Sequence, residues 1–157
     1  MNNGLKLLIA IAVPVATGAL AGYFTASGVD TWYRTIEKPA WNPPDAVFAP
    51  VWTTLYILMG VAFYLIWRSN AEPTLKRRAT VMWIVQLVLN AAWSFLFFNQ
   101  HSIGLALIEI IMLWLAILLT IFIFARIRRA AAWLLVPYIS WVSFATILTY
   151  TIWKLNA

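Results

Sequence analysis

The sequence predicts an all-α integral membrane protein, a single domain built as a bundle of five transmembrane helices. Of its 157 residues, 64% are hydrophobic and only 10% are charged, whereas an average soluble domain carries roughly 25% charged residues. Such a chain has too little charge to cover a surface that faces water. In addition, five apolar stretches each approach the roughly 20 residues that a helix needs to cross the bilayer core.

The predicted spans occupy residues 5–26, 47–67, 79–98, 103–125 and 131–153. The first could be a cleaved signal peptide, but its apolar run is longer than a signal h-region, and Pro14 and the Gly18-x-x-x-Gly22 pair suit a spanning helix. We therefore expect it to be retained. The two glycines permit close helix packing, either against a second copy or within the chain, and the sequence leaves both open.

The connections between the spans differ in length and charge. Residues 27–46 form the only long loop, which is rich in Trp and Pro, whereas residues 99–102 make a tight turn that predicts antiparallel third and fourth helices. With five spans, Lys6, Arg68, Lys76, Arg77, Arg78, Arg126, Arg128 and Arg129 lie on one side, against Arg34, Lys38 and Lys154 on the other. The positive-inside rule then places the N-terminus inside. These basic clusters suit anionic lipid headgroups, and no nucleic acid partner is predicted.

Few residues could carry conventional catalysis. The chain has no cysteine and one histidine, His101, in the tight turn. Without a His pair, a carboxylate pair or a Gly-rich phosphate loop, neither a metal nor a cofactor is predicted. Glu109 is different, because an ionisable group about two turns inside a span is costly and is a functional candidate by default. It could instead be a neutral carboxyl or bond to a neighbouring helix.

Aromatic residues are the larger clue. Ten Trp, six Tyr and nine Phe exceed what the interfacial belts of a membrane protein need. Side chains that share helix faces are Trp52, Tyr56 and Phe63 in the second span, Gln86, Asn90 and Ser94 beside Trp93 in the third, and Trp141 and Ala145 in the fifth. A few polar groups amid aromatic walls are typical of a site for a flat apolar ligand. Plain aromatic packing would give the same pattern, so pocket and packed core both stay open.

Several motifs, in order along the chain, carry a resemblance to a known family. The long loop contains Trp32-Tyr33 and Lys38-Pro39-Ala40-Trp41-Asn42-Pro43-Pro44; the second span contains Pro50-x-Trp52-x-x-Leu55-Tyr56; the third contains Gln86-x-x-x-Asn90-x-x-Trp93; the fifth contains Pro137-Tyr138-x-x-Trp141 and Phe144-Ala145-Thr146. Together these blocks resemble the TspO/translocator protein family, also called peripheral-type benzodiazepine receptors. The resemblance covers essentially the whole chain.

The resemblance implies a homodimeric, receptor-like membrane protein that senses, scavenges or regulates tetrapyrroles. Its ligands would be protoporphyrin IX or haem, benzodiazepine-type compounds and sterols. Position by position, the resemblance assigns a ligand-binding pocket to Trp52, Tyr56, Asn90, Trp93, Trp141 and Ala145, and a lid over it to Trp32, Tyr33 and Trp41. It implies the bacterial inner membrane or the mitochondrial outer membrane, and the lack of a long mitochondrial-type C-terminal tail favours the former.

Two other functions stay open. Trp52 and Trp141 match tryptophans tied to light-dependent porphyrin breakdown in some bacterial members, which would make them the catalytic residues of an enzyme. A porphyrin or sterol transporter is the third alternative, although the sequence has no pair of broken helices and no inverted repeat. The last span also fits a loose cholesterol pattern through Leu148, Tyr150 and Lys154, with Thr149 where many relatives have Asn.

Overall fold

The structure is a computed structural model that describes residues 1–157, and it contains five helical rods long and apolar enough to cross a membrane. The rods are built from six α-helices: α1 (Asn3–Ala26), α2 (Asp45–Trp67), α3 (Pro73–Ser94), α4 (Ile103–Ile127), α5 (Arg129–Leu134) and α6 (Val136–Asn156). Helices α5 and α6 together form the fifth rod, and the chain has no strand. The prediction of an all-α membrane bundle with five spans is confirmed.

Helix α3 begins six residues before the predicted third span. The Glu72 carboxylate caps it by accepting hydrogen bonds from the backbone N–H groups of Thr74 (2.9 Å) and Leu75 (3.0 Å), and Pro73 suits a first helical position. These bonds hold the pKa of Glu72 below its ordinary value. Hydropathy alone misses this turn because the residues that follow the cap are basic. At its other end the rod continues as a π-helical turn, Phe95–Asn99.

The fifth rod is interrupted where one continuous span was predicted. Leu135 separates α5 from α6 with φ −92° and ψ −7°. Pro137 explains the break, because proline has no N–H for the preceding turn and its ring clashes with that turn's carbonyl. Leu135 is nevertheless buried, so the break lies inside the packed bundle.

The bundle has two chemically different ends. Lys6 lies 5.9 Å from the Trp67 ring centre, so the N-terminus shares an end with loop 68–72 and with Arg128, between α4 and α5. We call this the basic end. At the other, the lid end, the long loop contacts the C-terminus through Asn156, next to the tight turn 99–102. That turn joins α3 and α4 as packed antiparallel neighbours, as predicted. Which end is cytoplasmic stays a prediction.

The outer faces of the rods are apolar. Leu8, Val88, Ile108, Phe122 and Ile147 are each at least 60% exposed, an arrangement suited to lipid, which solvates such side chains without cost.

Between α1 and α2 the packing is close. A Cβ atom on Gly60 would lie 2.5 Å from the Ile11 Cα atom, and one on Gly18 would lie 2.5 Å from the Tyr56 ring. Gly18 therefore serves packing within the chain.

Candidate functional site

A cavity of about 670 Å³ lies inside the lid half of the bundle, lined by α1, α2, α3, α4, α6 and the start of the long loop. Its volume falls within the roughly 300–1,000 Å³ that is usual for small-molecule sites. All six residues predicted to bind ligand line it: Trp52, Tyr56, Asn90, Trp93, Trp141 and Ala145. The six predicted residues thus bring three helices, α2, α3 and α6, to one mostly apolar space.

Aromatic rings form much of the cavity wall. Trp52 meets Trp141 edge to face, with ring centres 6.5 Å apart, and stacks on Tyr56 at 5.7 Å. Across the cavity, Trp93 stacks on Phe97 at 5.1 Å. Ring pairs at these separations hold one another rigidly and leave their remaining faces for a flat ligand. The wall is therefore preorganised by contacts among its own side chains.

A hydrogen-bonded network crosses the bundle interior beside this wall. Tyr56 on α2 donates to the Asn90 side-chain oxygen on α3, and Asn90 Nδ2 donates to the Tyr138 hydroxyl on α6 over 2.9 Å. Tyr138 in turn donates to Gln86 Oε1 over 2.7 Å. The network ties three helices together, and its amide and hydroxyl groups have protein partners, as buried polar groups require.

Two indole N–H groups at the cavity have no such partner. The Nε1 atoms of Trp93 and Trp141 are buried and donate no hydrogen bond. By contrast, the Trp83 N–H, outside the cavity, donates to the Met59 carbonyl at 3.2 Å. Burying an unpaired donor is unfavourable, so these two groups are suited to an acceptor on a ligand.

The cavity contains no basic side chain. Its only ionisable groups besides tyrosine hydroxyls are Asp30 and Asp45, at the lid end. Asp30 is paired with Arg34 at 2.9 Å, and both side chains are exposed. An anionic ligand group would therefore find no positive partner within the cavity wall.

The long loop is held in place by several contacts, the first of them made by Tyr33. This side chain is buried, lines the cavity and donates a hydrogen bond to Asn42 Oδ1 at 3.1 Å. Burial raises the pKa of the Tyr33 phenol above its ordinary value. The Lys38 ammonium donates to the carbonyls of Tyr33 (2.6 Å) and Ile36 (3.0 Å) and so closes the loop upon itself.

Further contacts attach the lid to the bundle. Trp32 stacks on His101 with ring centres 4.4 Å apart and planes within 6°. Asn156 both accepts from the Glu37 N–H and donates to its carbonyl, each at 2.9 Å. Trp41 packs on Phe144 at 5.8 Å but is half-exposed. Of the three predicted lid residues, only Tyr33 lines the cavity; the two tryptophans brace the loop.

The start of the lid also needs a glycine. A Cβ atom on Gly28 would lie only 2.2 Å from the Phe98 carbonyl oxygen, so the loop passes directly against the π-helical end of α3. Gly28 permits this approach because it has no side chain.

The sequence of the chain matches the TspO/MBR family over residues 10–154. The chain belongs to this family. The tryptophan-rich protein TspO of Chlorobaculum tepidum is 41% identical over 152 residues, which cover 97% of this chain and 96% of that protein. The human translocator protein is 37% identical over 126 residues (80% and 75% of the two chains), and the tryptophan-rich sensory protein of Cereibacter sphaeroides is 34% identical over 152 (97% and 90%). Family membership and the five rods make this a multi-pass membrane protein.

Other predicted residues of this TspO/MBR chain lie outside the cavity. Phe63 was expected on the face of Trp52 and Tyr56, but it stacks on Trp83 at 4.2 Å, away from the cavity. Phe63 still faces α3, as Tyr56 does through Asn90, but it lies about two helical turns further along α2, beyond the cavity. Glu109 is buried with both carboxyl oxygens unpaired and does not line the cavity, so the expected bond to a neighbouring helix is not made.

The residues of the cholesterol pattern do not share a face. Leu148 is buried and lines the cavity, whereas Tyr150 is 48% exposed and Lys154 lies 6.0 Å from its ring on the outside. Any sterol site formed by Tyr150 and Lys154 would therefore be on the lipid-facing surface. Its existence stays a prediction.

Sequence reasoning missed two contributors to the site. Tyr138, quoted only as part of a motif, is the fully buried centre of the polar network. Helix α1 lines one side of the cavity through small residues such as Gly22, beside which a Cβ atom would meet nothing within 4 Å. The recurrence of small residues every four positions in the first span was the available signal for α1.

Proposed function

We propose that this TspO/MBR chain binds a flat, largely apolar ring in the lidded cavity, with porphyrins as the leading ligand class, and that occupation of the cavity is the event it senses. The observation that carries the proposal is the combination of aromatic walls with the unpaired N–H groups of Trp93 and Trp141. Aromatic faces favour any flat ring, so benzodiazepine-type compounds are a second ligand class for the same space.

The absence of cations in the wall constrains how a porphyrin binds. Protoporphyrin carries two propionates, and Asp30 and Asp45 would repel them at the lid end. The propionates must therefore point out of the cavity, or accept a hydrogen bond from an indole while neutral. We expect the uncharged dimethyl ester to bind at least as tightly as the free acid.

Binding is tested by quenching of tryptophan fluorescence in darkness, with the purified protein in lipid nanodiscs. Gly22→Leu is the informative variant, because it places an apolar side chain in open space at the cavity while improving helix propensity by roughly 0.5–1 kcal/mol. Ala16→Leu, on an exposed position of α1 outside the cavity, is the control.

We expect saturable quenching by protoporphyrin, weakened about tenfold (about 1.4 kcal/mol) in Gly22→Leu and unchanged in Ala16→Leu. Equal quenching in all three proteins, rising linearly with porphyrin, would indicate partition into lipid and overturn the proposal.

A second candidate is light-dependent breakdown of bound porphyrin, favoured by the contact between the Trp52 and Trp141 rings in the cavity wall. The illuminated porphyrin would pass its excitation to dissolved dioxygen, the oxidant of the breakdown, and the two indoles would act on the reactive oxygen formed beside them. Illumination of the saturated complex, followed by chromatography of the pigment, tests it. If Trp52→Phe/Trp141→Phe bleaches bound porphyrin as fast as the wild type, the two residues have no catalytic role.

A further inference from the structure

A second recess, of about 590 Å³, lies at the basic end of the bundle, opposite the lid end. It is formed where loop 68–72 meets the junction of α4 and α5. Three arginines line it, Arg68 from the first segment and Arg126 and Arg128 from the second, together with the polar side chains of Ser69 and Asn70. Two connections that are distant in sequence therefore bring three arginine residues to one recess.

These guanidinium groups have almost no protein partners. The single ion pair of the protein is the one between Arg34 and Asp30, at the other end. The Arg68 side chain makes one hydrogen bond, a long one of 3.5 Å to the Tyr64 hydroxyl, and lies 5.6 Å from the Tyr64 ring centre, while the side chains of Arg126 and Arg128 make no hydrogen bond. Three like charges around one recess repel one another, and an anion between them would relieve that repulsion.

The only carboxylate of the recess does not supply that anion. The two oxygens of Glu72 accept hydrogen bonds from the backbone N–H groups of Thr74 and Leu75, so the carboxylate is committed to capping α3. Glu72 balances at most one of the three positive charges, which leaves the recess with a net positive charge.

The recess is also held in shape without an anion. The Lys76 ammonium donates to the carbonyls of Trp67 (2.8 Å) and Ser69 (2.9 Å), which fixes loop 68–72. On the other side, the extended backbone of Arg128 (φ −153°, ψ 114°) donates to the Phe124 carbonyl at 2.7 Å. The recess thus lies directly beyond the ends of α2 and α4, where the apolar rods end and lipid headgroups begin.

We propose that this recess binds a phosphate group, with the phosphodiester of an anionic lipid headgroup or a free phosphate as its two possible sources. Guanidinium groups match phosphate oxygens through paired, charge-assisted hydrogen bonds. The Asn70 amide adds a neutral donor that could help to complete the shell around the phosphate, whereas the Ser69 hydroxyl already donates to the Ile66 carbonyl at 2.7 Å. The position of the recess beside the bilayer gives a lipid headgroup direct access to it.

The test compares two triple variants with the same loss of charge. Arg68→Gln/Arg126→Gln/Arg128→Gln removes the arginines of the recess, whereas Arg77→Gln/Arg78→Gln/Arg129→Gln removes neighbouring exposed arginines that do not line it. Each full-length protein, in non-ionic detergent, is titrated with phosphatidylglycerol, with phosphatidylcholine and with inorganic phosphate at constant ionic strength. The readout is the shift in melting temperature, because a ligand of the native state stabilises it.

We expect phosphatidylglycerol to stabilise the wild type and the control variant alike, with about tenfold or greater weakening in the recess variant. Stabilisation by inorganic phosphate with the same dependence on the recess arginines would assign the site to a soluble phosphate. Equal weakening in the two triple variants, or no stabilisation of the wild type by either probe, would overturn the proposal. If the recess triple variant does not fold, Arg126→Gln against Arg129→Gln gives the same comparison with one charge each, and native mass spectrometry of the wild type counts retained phosphatidylglycerol.

Discussion

The polar network and the aromatic wall lie side by side in the same apolar interior, yet they differ in how their polar groups are satisfied. In the network, Tyr56, Asn90 and Tyr138 have partners on neighbouring helices. In the wall, the N–H groups of Trp93 and Trp141 have none. An inward-facing polar residue in a membrane helix therefore does not by itself mark a ligand site. Accounting for the partner of each polar atom distinguishes a group that joins helices from one that is free for a ligand.

Asn90 shows why the distinction matters. Asn90 was predicted to anchor a ligand, with a helix–helix bond as the alternative, and it both lines the cavity and bonds two other helices. One N–H of its amide remains for a ligand, because each amide nitrogen carries two donors. Its role as a ligand anchor stays a prediction, whereas its role in joining helices is visible in the contacts.

The largest expected effect is the loss of the network through Asn90→Leu. The substitution removes the acceptor of Tyr56 and a donor to Tyr138, and a buried polar group left unpaired costs about 1–3 kcal/mol. We expect a clear fall in melting temperature in detergent. Tyr138→Phe should act in the same direction, and Tyr150→Phe, on an exposed position of α6, should have no effect. The affinity of the folded Asn90→Leu protein for protoporphyrin then tests whether Asn90 anchors the ligand. Unchanged affinity would show that Asn90 only joins helices.

A smaller effect is expected in the wall. Trp93→Phe and Trp141→Phe each remove an unpaired N–H, so folding loses no hydrogen bond while a bound ligand loses one, about 0.5–1.5 kcal/mol. Affinity for protoporphyrin should fall a few-fold with little change in melting temperature. Trp83→Phe is the matched control, because its N–H is paired with Met59 and its loss should lower stability and leave affinity unchanged. The opposite pattern of affinity and melting temperature would contradict the distinction between N–H groups that are free for a ligand and N–H groups that stabilise the fold.

The long loop extends the comparison to the protein surface, where a hydrogen bond contributes less to stability. Asn156→Ala removes both of its hydrogen bonds to the Glu37 backbone, which lie in an exposed region. We expect trypsin to cut after Arg34 a few-fold faster, since exposed bonds contribute about 0.5–1.5 kcal/mol at most. Asn70→Ala, in the loop at the opposite end, is the control. Rapid cutting of the wild type, with or without porphyrin, would show that the loop is not an ordered lid.

The smallest effect concerns pH. Burial raises the pKa of Tyr33 above its ordinary value of 10.0, so the neutral phenol is the form that the closed lid favours. Its contribution to lid stability is complete below about pH 10 and is lost as the pH rises through the raised pKa. Titration of tyrosinate absorbance should show a late-ionising component that Tyr33→Phe removes. An identical titration curve for that variant would contradict the burial of Tyr33 in solution.

Much of the site could be predicted from motifs, but its internal chemistry could not. All six predicted pocket residues line one cavity. They could be identified from the sequence because helical spacing and motif resemblance both concern positions along a single helix. Phe63 faces α3 as Tyr56 does but lies outside the cavity, because how far a cavity extends along a helix depends on the packing of neighbouring helices. The early start of α3 and the break at Leu135 were missed because hydropathy records neither a capping bond nor a proline's missing donor.

The sequence by itself determined that lipid is the solvent, that five rods cross it, and which faces of those rods are aromatic or polar. These properties follow from composition and from the helical period, which are local. Only the tertiary structure decided which polar atoms are paired and where space remains between the rings. Asn90 finds its partners 34 and 48 positions away along the chain. Such pairings depend on how helices are placed in three dimensions, and a shift of a single side chain decides whether a donor meets a protein acceptor or faces a cavity.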